Sequence, residues 1–137
     1  MVSVADVEGV QQAWGEGIVA IAAAHTSGGD FVGIATNHVN TLYAYQMGLV
    51  LFKPTLAAID QFRPTFDTAL SYFVASNGAC PEDKGFAIKG WTNVRFENSD
   101  VIIDGNTALA MGNYFFTAPD GAEVKAVSYT HLTLPTR

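Results

Sequence analysis

The stretch Val101-Ile102-Ile103-Asp104-Gly105-Asn106-Thr107-Ala108-Leu109 decides the fold class. Its Asp-Gly-Asn centre is a strong hairpin signal, because these residue types tolerate the backbone of a tight turn. The apolar run before the turn and the long strand Thr107–Thr117 after it are therefore expected to pair antiparallel. A second turn at Pro119-Asp120-Gly121 predicts a further strand that begins at Glu123.

An alternation with a period of two starts upstream of this hairpin, at Phe86, and predicts a strand with two different faces. The core face is Ile88, Thr92, Val94 and Phe96, and the opposite face is Lys89, Trp91, Asn93, Arg95 and Glu97. Asn98-Ser99-Asp100 predicts a turn between this strand and the next. Gly112 predicts a bulge or bend within the long strand.

Upstream of the strands, apolar residues recur at intervals of three and four in three segments, as on one face of an amphipathic helix. Each segment follows a favoured N-cap residue. The segments are Val7–His25 after Ser3, Phe31–Tyr45 after Asp30, and Phe66–Val74 after Thr65. Leu49–Phe52 predicts a short buried strand. Helices followed by antiparallel strands predict an α+β fold.

The composition indicates one compact domain. The chain has 137 residues, of which 49% are hydrophobic and 15% charged, so it is too apolar for a disordered protein. Its net charge is −6, whereas proteins that bind nucleic acids or anionic membranes need a basic surface. We therefore expect the chain to bind neither nucleic acids nor membranes. The single cysteine, Cys80, excludes an internal disulfide.

The N-terminal residues and the uncharged middle segment bear on targeting and on membrane insertion. The N-terminus lacks a basic region, which predicts a cytoplasmic protein, or a secreted one if a leader was lost. The uncharged segment Phe31–Phe52 is interrupted by polar residues and predicts a buried helix rather than a membrane span.

The last eleven residues, Val127–Arg137, resemble a translated sequencing adapter. We therefore expect a native domain over residues 1–126 and a foreign tail over 127–137; an ordinary final strand is the alternative.

The order of elements resembles the NTF2-like superfamily, in particular its SnoaL-like branch. The stretches that carry the resemblance are Leu49–Thr55, Gln61–Phe66, Ala69–Val74, Val94–Asn98 and Ala110–Phe116. The resemblance implies helices packed in a strongly curved antiparallel sheet, which together form a cone around an apolar cavity. The last strands of that cone are expected to be missing, which leaves Thr107–Thr117 with an unpaired edge.

The resemblance also implies a function: binding of a small apolar molecule in the cone, with isomerase or hydrolase activity where a catalytic side chain projects into it. One alternative is a non-catalytic binding module that forms a homodimer through the face of the sheet. A weaker one is a hydrolase similar to small bacterial proteins named phosphoribosyl-AMP cyclohydrolases. We expect no cofactor and no metal site, because the sequence has no phosphate-binding loop and no regular spacing of metal ligands.

Three residues are candidate catalytic groups. His38 lies on the apolar face of the second helix, and an unperturbed imidazole titrates near neutral pH. Asp60 is a carboxylate close to the third helix, and Arg95 lies on the non-core face of its strand. His38 and Arg95 each have a structural alternative: a buried core histidine, and a surface ion pair between Arg95 and Glu97. No motif places Asp60 in the cone.

Seven further residues are candidate ligand-binding groups, because most combine an apolar body with a polar group. They are Tyr43, Lys53, Tyr72, Trp91, Asn93, Asn113 and Tyr114. The alternative for the tyrosines is a core position with the hydroxyl at the surface. Lys53 could be an ordinary edge lysine, and Trp91 could lie in a dimer interface.

Overall fold

The computed structural model describes residues 1–133 and has an α+β fold. Its elements are α1 (Val4–Ser27), α2 (Phe31–Leu42), α3 (Phe66–Val74), a 3-10 helix (Phe86–Ile88), β1 (Asn93–Asp104), β2 (Thr107–Thr117) and β3 (Glu123–Thr133). The central strand β2 pairs antiparallel with β1 on one side and with β3 on the other. The predicted fold class and the antiparallel sheet are confirmed.

The helix boundaries follow local capping chemistry, as the sequence predicts. The Ser3 hydroxyl accepts from the backbone N–H of Asp6, and the Asp6 carboxylate accepts from the N–H of Ser3, which completes a capping box. Asp30 and Thr65 cap α2 and α3 in the same way through their side chains. Gly28 ends α1 with a φ of 78°, a conformation that favours glycine.

The turn predicted at Asn98-Ser99-Asp100 is wrong, because β1 runs through it without interruption. The pairing with β2 shifts register between Asn98 and Asp100, so the additional residue forms a β-bulge. Gly112 lies opposite this bulge, and a Cβ atom there would lie 2.2 Å from the carbonyl oxygen of Glu97. The predicted irregularity at Gly112 is therefore confirmed, although the extra residue belongs to the partner strand.

The segment Leu49–Phe52 was predicted as a buried strand, and this is also wrong. It lies in the long irregular segment between α2 and α3, where Leu49 and Leu51 are 82% and 91% exposed. Only Phe52 packs inward, against the rings of Tyr43 and Phe73. A hydrophobic run of this length has no strand character unless a neighbouring strand pairs with it.

Two expectations about the sheet need correction. Phe86–Ile88 is a 3-10 helix, and the first strand begins only at Asn93. The expected unpaired edge of Thr107–Thr117 is absent, because β3 pairs along that side. Residues 127–133 form the second half of β3, while residues 134–137 lie outside the described part of the chain. The foreign origin of 127–137 stays a prediction.

The core lies between the helices and one face of the sheet. Its larger buried side chains include Ile18, Ile21, Val39, Phe73, Phe86, Trp91 and Phe116. A smaller apolar cluster joins the start of α1 to the start of β2; its members are Val2, Val7, Ala108 and Ala110. Within residues 1–133, the helices are too short or too polar to cross a bilayer.

Candidate functional site

Trp14 of α1 occupies the centre of an aromatic cluster between the helices and the inner face of the sheet. Its ring lies 5.6–6.4 Å from five other rings, measured between centroids. These rings belong to His38, Phe73, Phe96, Tyr114 and Phe116. The indole N–H donates a hydrogen bond of 3.0 Å to the hydroxyl of Tyr43. Trp14 thus supplies both the apolar floor of the site and a polar contact to it.

Four hydroxyl groups converge above this floor; we name Tyr43, Thr55, Tyr72 and Tyr114 the hydroxyl cluster. The Thr55 hydroxyl lies 3.0 Å from the Tyr114 hydroxyl, and the backbone N–H of Leu56 donates to the Tyr72 hydroxyl over 3.3 Å. Two consecutive residues of one loop therefore fix two tyrosines that come from a helix and from a strand.

Burial keeps the phenols of the hydroxyl cluster protonated. It raises the pKa of Tyr43, Tyr72 and Tyr114 above the ordinary value for tyrosine. The three groups also oppose one another's ionisation: a charge on Tyr114 would further raise the pKa of Tyr43 and Tyr72. At neutral pH each phenol is therefore a neutral group that can donate a hydrogen bond, and none is a base.

His38 lies beside the hydroxyl cluster in the same aromatic environment, packed against Trp14 and Phe73. Desolvation lowers its pKa to about 4, so the imidazole is neutral at pH 7. Its Nε2 atom is buried and has no hydrogen-bond partner among the described residues. The ring approaches α1 at Gly17, where a Cβ atom would lie only 2.1 Å from Nδ1.

A buried ion pair holds the loop that carries Thr55. Arg63 is fully buried and makes a bidentate contact with Asp83 at 2.6 and 2.8 Å. Asp83 also accepts from the Ser71 hydroxyl, and the Tyr45 hydroxyl donates to the carbonyl oxygen of Arg63 over 2.7 Å. This network anchors the end of the loop to α3 and to the segment that follows α3.

Of the predicted site residues, the structure brings His38, Tyr43, Tyr72 and Tyr114 together. It does not bring Asp60 or Lys53 to them. Asp60 is exposed; its backbone N–H donates to Glu82 over 2.6 Å. Lys53 is also exposed and donates to the carbonyl oxygen of Thr55.

The other predicted residues lie elsewhere on the sheet or in the core. Arg95 lies on the outer face of the sheet, where it pairs with Glu97 and Glu123 and stacks 3.9 Å above the ring of Phe115. Asn93 and Asn113 occupy the same outer face, as their alternation along β1 and β2 shows. Trp91 is buried and donates to the carbonyl oxygen of Phe86, which corrects its expected position on an exposed face.

Two residues of the site were missed from the sequence: Trp14 and Thr55. Trp14 was identified only as part of an amphipathic helix face, and its partner Tyr43 is 29 residues away. Thr55 lies in an irregular loop and pairs with a residue 59 positions along the chain. The one available signal for Thr55 was its place directly after Lys53-Pro54, at the end of an apolar run.

The donor set of the site is made of hydroxyls, an indole and an imidazole. Across residues 1–133, no group of three or more histidine, cysteine, aspartate or glutamate side chains is placed to hold a metal ion. Phenol and threonine hydroxyls are suited instead to binding an oxygen-rich anion or a polarised carbonyl oxygen through hydrogen bonds.

The chain is similar to known proteins over nearly all of its length. A family model described as metal-independent carbonic anhydrase matches residues 5–133. A metal-independent carbonic anhydrase from Nostoc sp. (strain PCC 7120) is 44% identical over 119 residues, which are 85% of this chain and 58% of that relative. The crystal structure of the iota-carbonic anhydrase from a cyanobacterium complexed with bicarbonate matches with a TM-score of 0.93 and 38% identity, over 96% of this chain and 82% of that one.

These findings correct the expectations drawn from resemblance. The matched family is neither the NTF2-like superfamily with its SnoaL-like branch nor the group named phosphoribosyl-AMP cyclohydrolases. The isomerase or hydrolase function that these resemblances implied is therefore also wrong. The order of helices and strands indicated a fold class that many functions share, so it could not identify a family. The family model and the relatives agree that this chain belongs to the metal-independent carbonic anhydrase family.

Proposed function

We propose that the chain catalyses the interconversion of carbon dioxide and bicarbonate at the hydroxyl cluster. The observation that carries this proposal is a set of neutral hydroxyl groups in one place: the phenols of buried Tyr72 and half-buried Tyr114, and the exposed hydroxyl of Thr55. Membership of the family and the likeness to a structure that holds bicarbonate support it. The chain spans 58% of the length of its Nostoc relative. That this chain has the activity for which the relative is named is therefore a proposal.

Carbon dioxide has no charge and no hydrogen-bond donor, so its binding relies on an apolar surface and on donors to its oxygens. The aromatic floor around Trp14 supplies the apolar surface. The hydroxyls of Tyr72, Tyr114 and Thr55 supply the donors. Because Tyr72 is buried and Tyr114 is half-buried, hydrogen bonds from their phenols are stronger electrostatically than they would be in solvent.

In the hydration direction, the oxygen of a water molecule forms a bond to the carbon. One carbon–oxygen π bond breaks, and its electron pair moves to an oxygen held by the hydroxyl donors. The water gives up one proton, and the product is bicarbonate. Donors that are already oriented stabilise the negative charge as it develops, which lowers the barrier without reorganisation at the moment of reaction.

His38 is our proposed first acceptor of that proton, since its Nε2 has no partner among the described residues. A pKa of about 4 makes it a weak base at neutral pH. Its contribution should therefore fall below the roughly 100-fold that a well-matched general base supplies. Asp60 and Arg95 have no role in this mechanism because neither contacts the cluster.

The test is carbon dioxide hydration, measured by stopped flow with a pH indicator after dialysis against a chelator. The chain should stay active after this treatment. Tyr114→Phe and Thr55→Val each remove one hydroxyl and should lower kcat/KM about 10- to 100-fold. The matched control is Tyr129→Phe, since Tyr129 is an exposed tyrosine on the outer face of β3. Unchanged rates in both cluster variants, or an inactive wild-type chain, would contradict the proposal.

Two structural proposals accompany this function. The first is that the sheet continues beyond β3 and curves into a cone. The support for this is that β3 pairs on one side only within residues 1–133.

The second is a homodimer through the outer face of the sheet. Ile102, Met111, Val127 and Tyr129 on that face are 54–67% exposed, and contiguous exposed apolar patches commonly mark interfaces.

A further inference from the structure

A concave pocket that adjoins the hydroxyl cluster at Tyr72 opens between the loop after Pro54 and the segment Glu82–Lys89. Its volume is about 260 Å³. Leu56, Tyr72 and Phe86 form its apolar wall. The rest of its lining is Gly85 and four charged residues: Glu82, Asp83, Lys84 and Lys89. This volume lies just below the roughly 300–1,000 Å³ of typical small-molecule sites, which limits an occupant to about one ring with a small substituent.

The charges around the pocket leave the two lysines as its available polar groups. Asp83 lines the pocket but gives both carboxylate oxygens to Arg63 and one of them also to Ser71. Glu82 accepts three backbone N–H groups, from residues 58, 59 and 60. Both acidic groups are therefore already satisfied by donors of the protein.

The two lysines of the lining differ from these acidic groups in their contacts. Neither Lys84 nor Lys89 forms a salt bridge in the part of the chain that the structure describes. The ammonium group of Lys89 lies 5.9 Å from the centroid of the Phe86 ring, which places a cation above the apolar wall. The lining carries two lysines and two carboxylates, and the buried guanidinium of Arg63, outside the lining, lies 2.6 Å from Asp83 and 3.8 Å from Glu82.

We propose that this pocket binds a small carboxylate with a single-ring apolar body. The ring would pack against Leu56, Tyr72 and Phe86, and the carboxylate would meet Lys84 and Lys89. The site is independent of the proposed carbonic anhydrase activity. It nevertheless shares Tyr72 with the hydroxyl cluster, and Leu56, which donates to the Tyr72 hydroxyl, lies in its wall.

The probe is benzoate, titrated against the full chain by calorimetry at low ionic strength, with benzyl alcohol as its uncharged counterpart. Benzoate should bind saturably, and benzyl alcohol at least about tenfold more weakly. The double variant Lys84→Gln/Lys89→Gln should bind benzoate about tenfold more weakly, because two exposed ion pairs are lost. Lys125→Gln removes a positive charge on the outer face of β3 and should change the affinity less than about twofold.

Backbone amide shifts locate the bound probe. Benzoate should perturb Gly85 and Phe86 most strongly in the nuclear magnetic resonance spectrum. The proposal is overturned by any one of four results: no saturable binding, equal affinity for benzyl alcohol, an equal loss in Lys125→Gln, or shifts centred on Thr55 and Tyr114. The last result would place the probe in the hydroxyl cluster. None of these results depends on whether the chain hydrates carbon dioxide.

Discussion

At the scale of single residues, burial decides which polar groups carry function and which carry stability. Tyr114 and Arg95 are polar residues of neighbouring strands, and their side chains point to opposite faces of the sheet. Tyr114 faces the helices and loses solvent, so its hydroxyl is a neutral donor. Arg95 faces solvent and pairs with two exposed carboxylates. The same sheet therefore presents chemistry on one face and solvated ion pairs on the other.

The lowered pKa of His38 predicts a loss of stability in mild acid. In the folded chain this pKa is about 4, and the ordinary value is 6.5. As the pH falls below 6.5, the unfolded chain binds the proton first, so stability declines between about pH 6.5 and pH 4. This group should cost roughly 2 kcal/mol between pH 7 and pH 5.

Urea denaturation at both pH values measures this loss. His38→Gln should reduce the difference between pH 7 and pH 5 by about that amount. His25→Gln, which removes an exposed histidine at the end of α1, should keep the wild-type difference. Identical pH dependence in His38→Gln and in the wild type would contradict the assignment.

A buried and an exposed ion pair predict very different energies. Asp83→Asn removes the bidentate partner of the buried Arg63 and leaves it only Glu82, at 3.8 Å, so it should lower the free energy of unfolding by about 3–5 kcal/mol. Glu97→Gln breaks an ion pair whose side chains are 43% and 60% exposed, and should have a much smaller effect. Chemical denaturation of both variants checks the contrast, and equal losses would count against it.

At the scale of helices and strands, the sequence predicts what neighbouring residues determine. The caps at Ser3, Asp30 and Thr65 lie within one turn of the groups that they bind, and all three are confirmed. The strand predicted at Leu49–Phe52 does not form, because strand formation depends on a partner strand, which the sequence of the segment does not specify. The bulge at Ser99 resembles a turn locally, and only the pairing of its neighbours Asn98 and Asp100 with β2 distinguishes the two.

The site followed the same rule. Burial and residue type found His38 and the three tyrosines, since each is typical of a half-buried polar position. Thr55 and Trp14 were missed because their contacts join positions 59 and 29 residues apart. Tertiary contacts of that separation leave no periodic trace in the chain. Family membership likewise came from sequence similarity and not from any pattern of elements.

The contact between α1 and α2 depends on glycine. A Cβ atom at Gly17 would lie 2.1 Å from Nδ1 of His38, whose ring is fixed by Trp14 and Phe73. Gly17→Ala should therefore destabilise the fold by about 1–3 kcal/mol. Gly9→Ala is the matched control in the same helix. No atom lies within 4 Å of its added Cβ, and it should stabilise α1 by about 0.5–1 kcal/mol. Thermal denaturation distinguishes the opposite signs.

At the scale of the whole molecule, the outer face of the sheet exposes a group of apolar side chains. Met111 and Tyr129 are direct partners across β2 and β3, and Val127 and Ile102 extend the apolar area along the strands. Charges of both signs border it: Arg95 and Lys125 beside acidic Glu97 and Glu123. A two-fold axis through such a face can bring opposite charges of two copies together, which favours a second copy as its occupant.

The proposed homodimer predicts the effect of a charge in the centre of that face. Met111→Glu should convert the dimer to a monomer in sedimentation velocity, because burying a carboxylate without a partner opposes association. Met47→Glu is the matched control: it introduces the same charge at a residue that is 83% exposed in the loop between α2 and α3. It should remain a dimer, and both variants should keep the wild-type circular dichroism spectrum. A monomeric wild-type chain would end the proposal, and so would equal dissociation of the two variants, because the effect would then follow from charge rather than from this face.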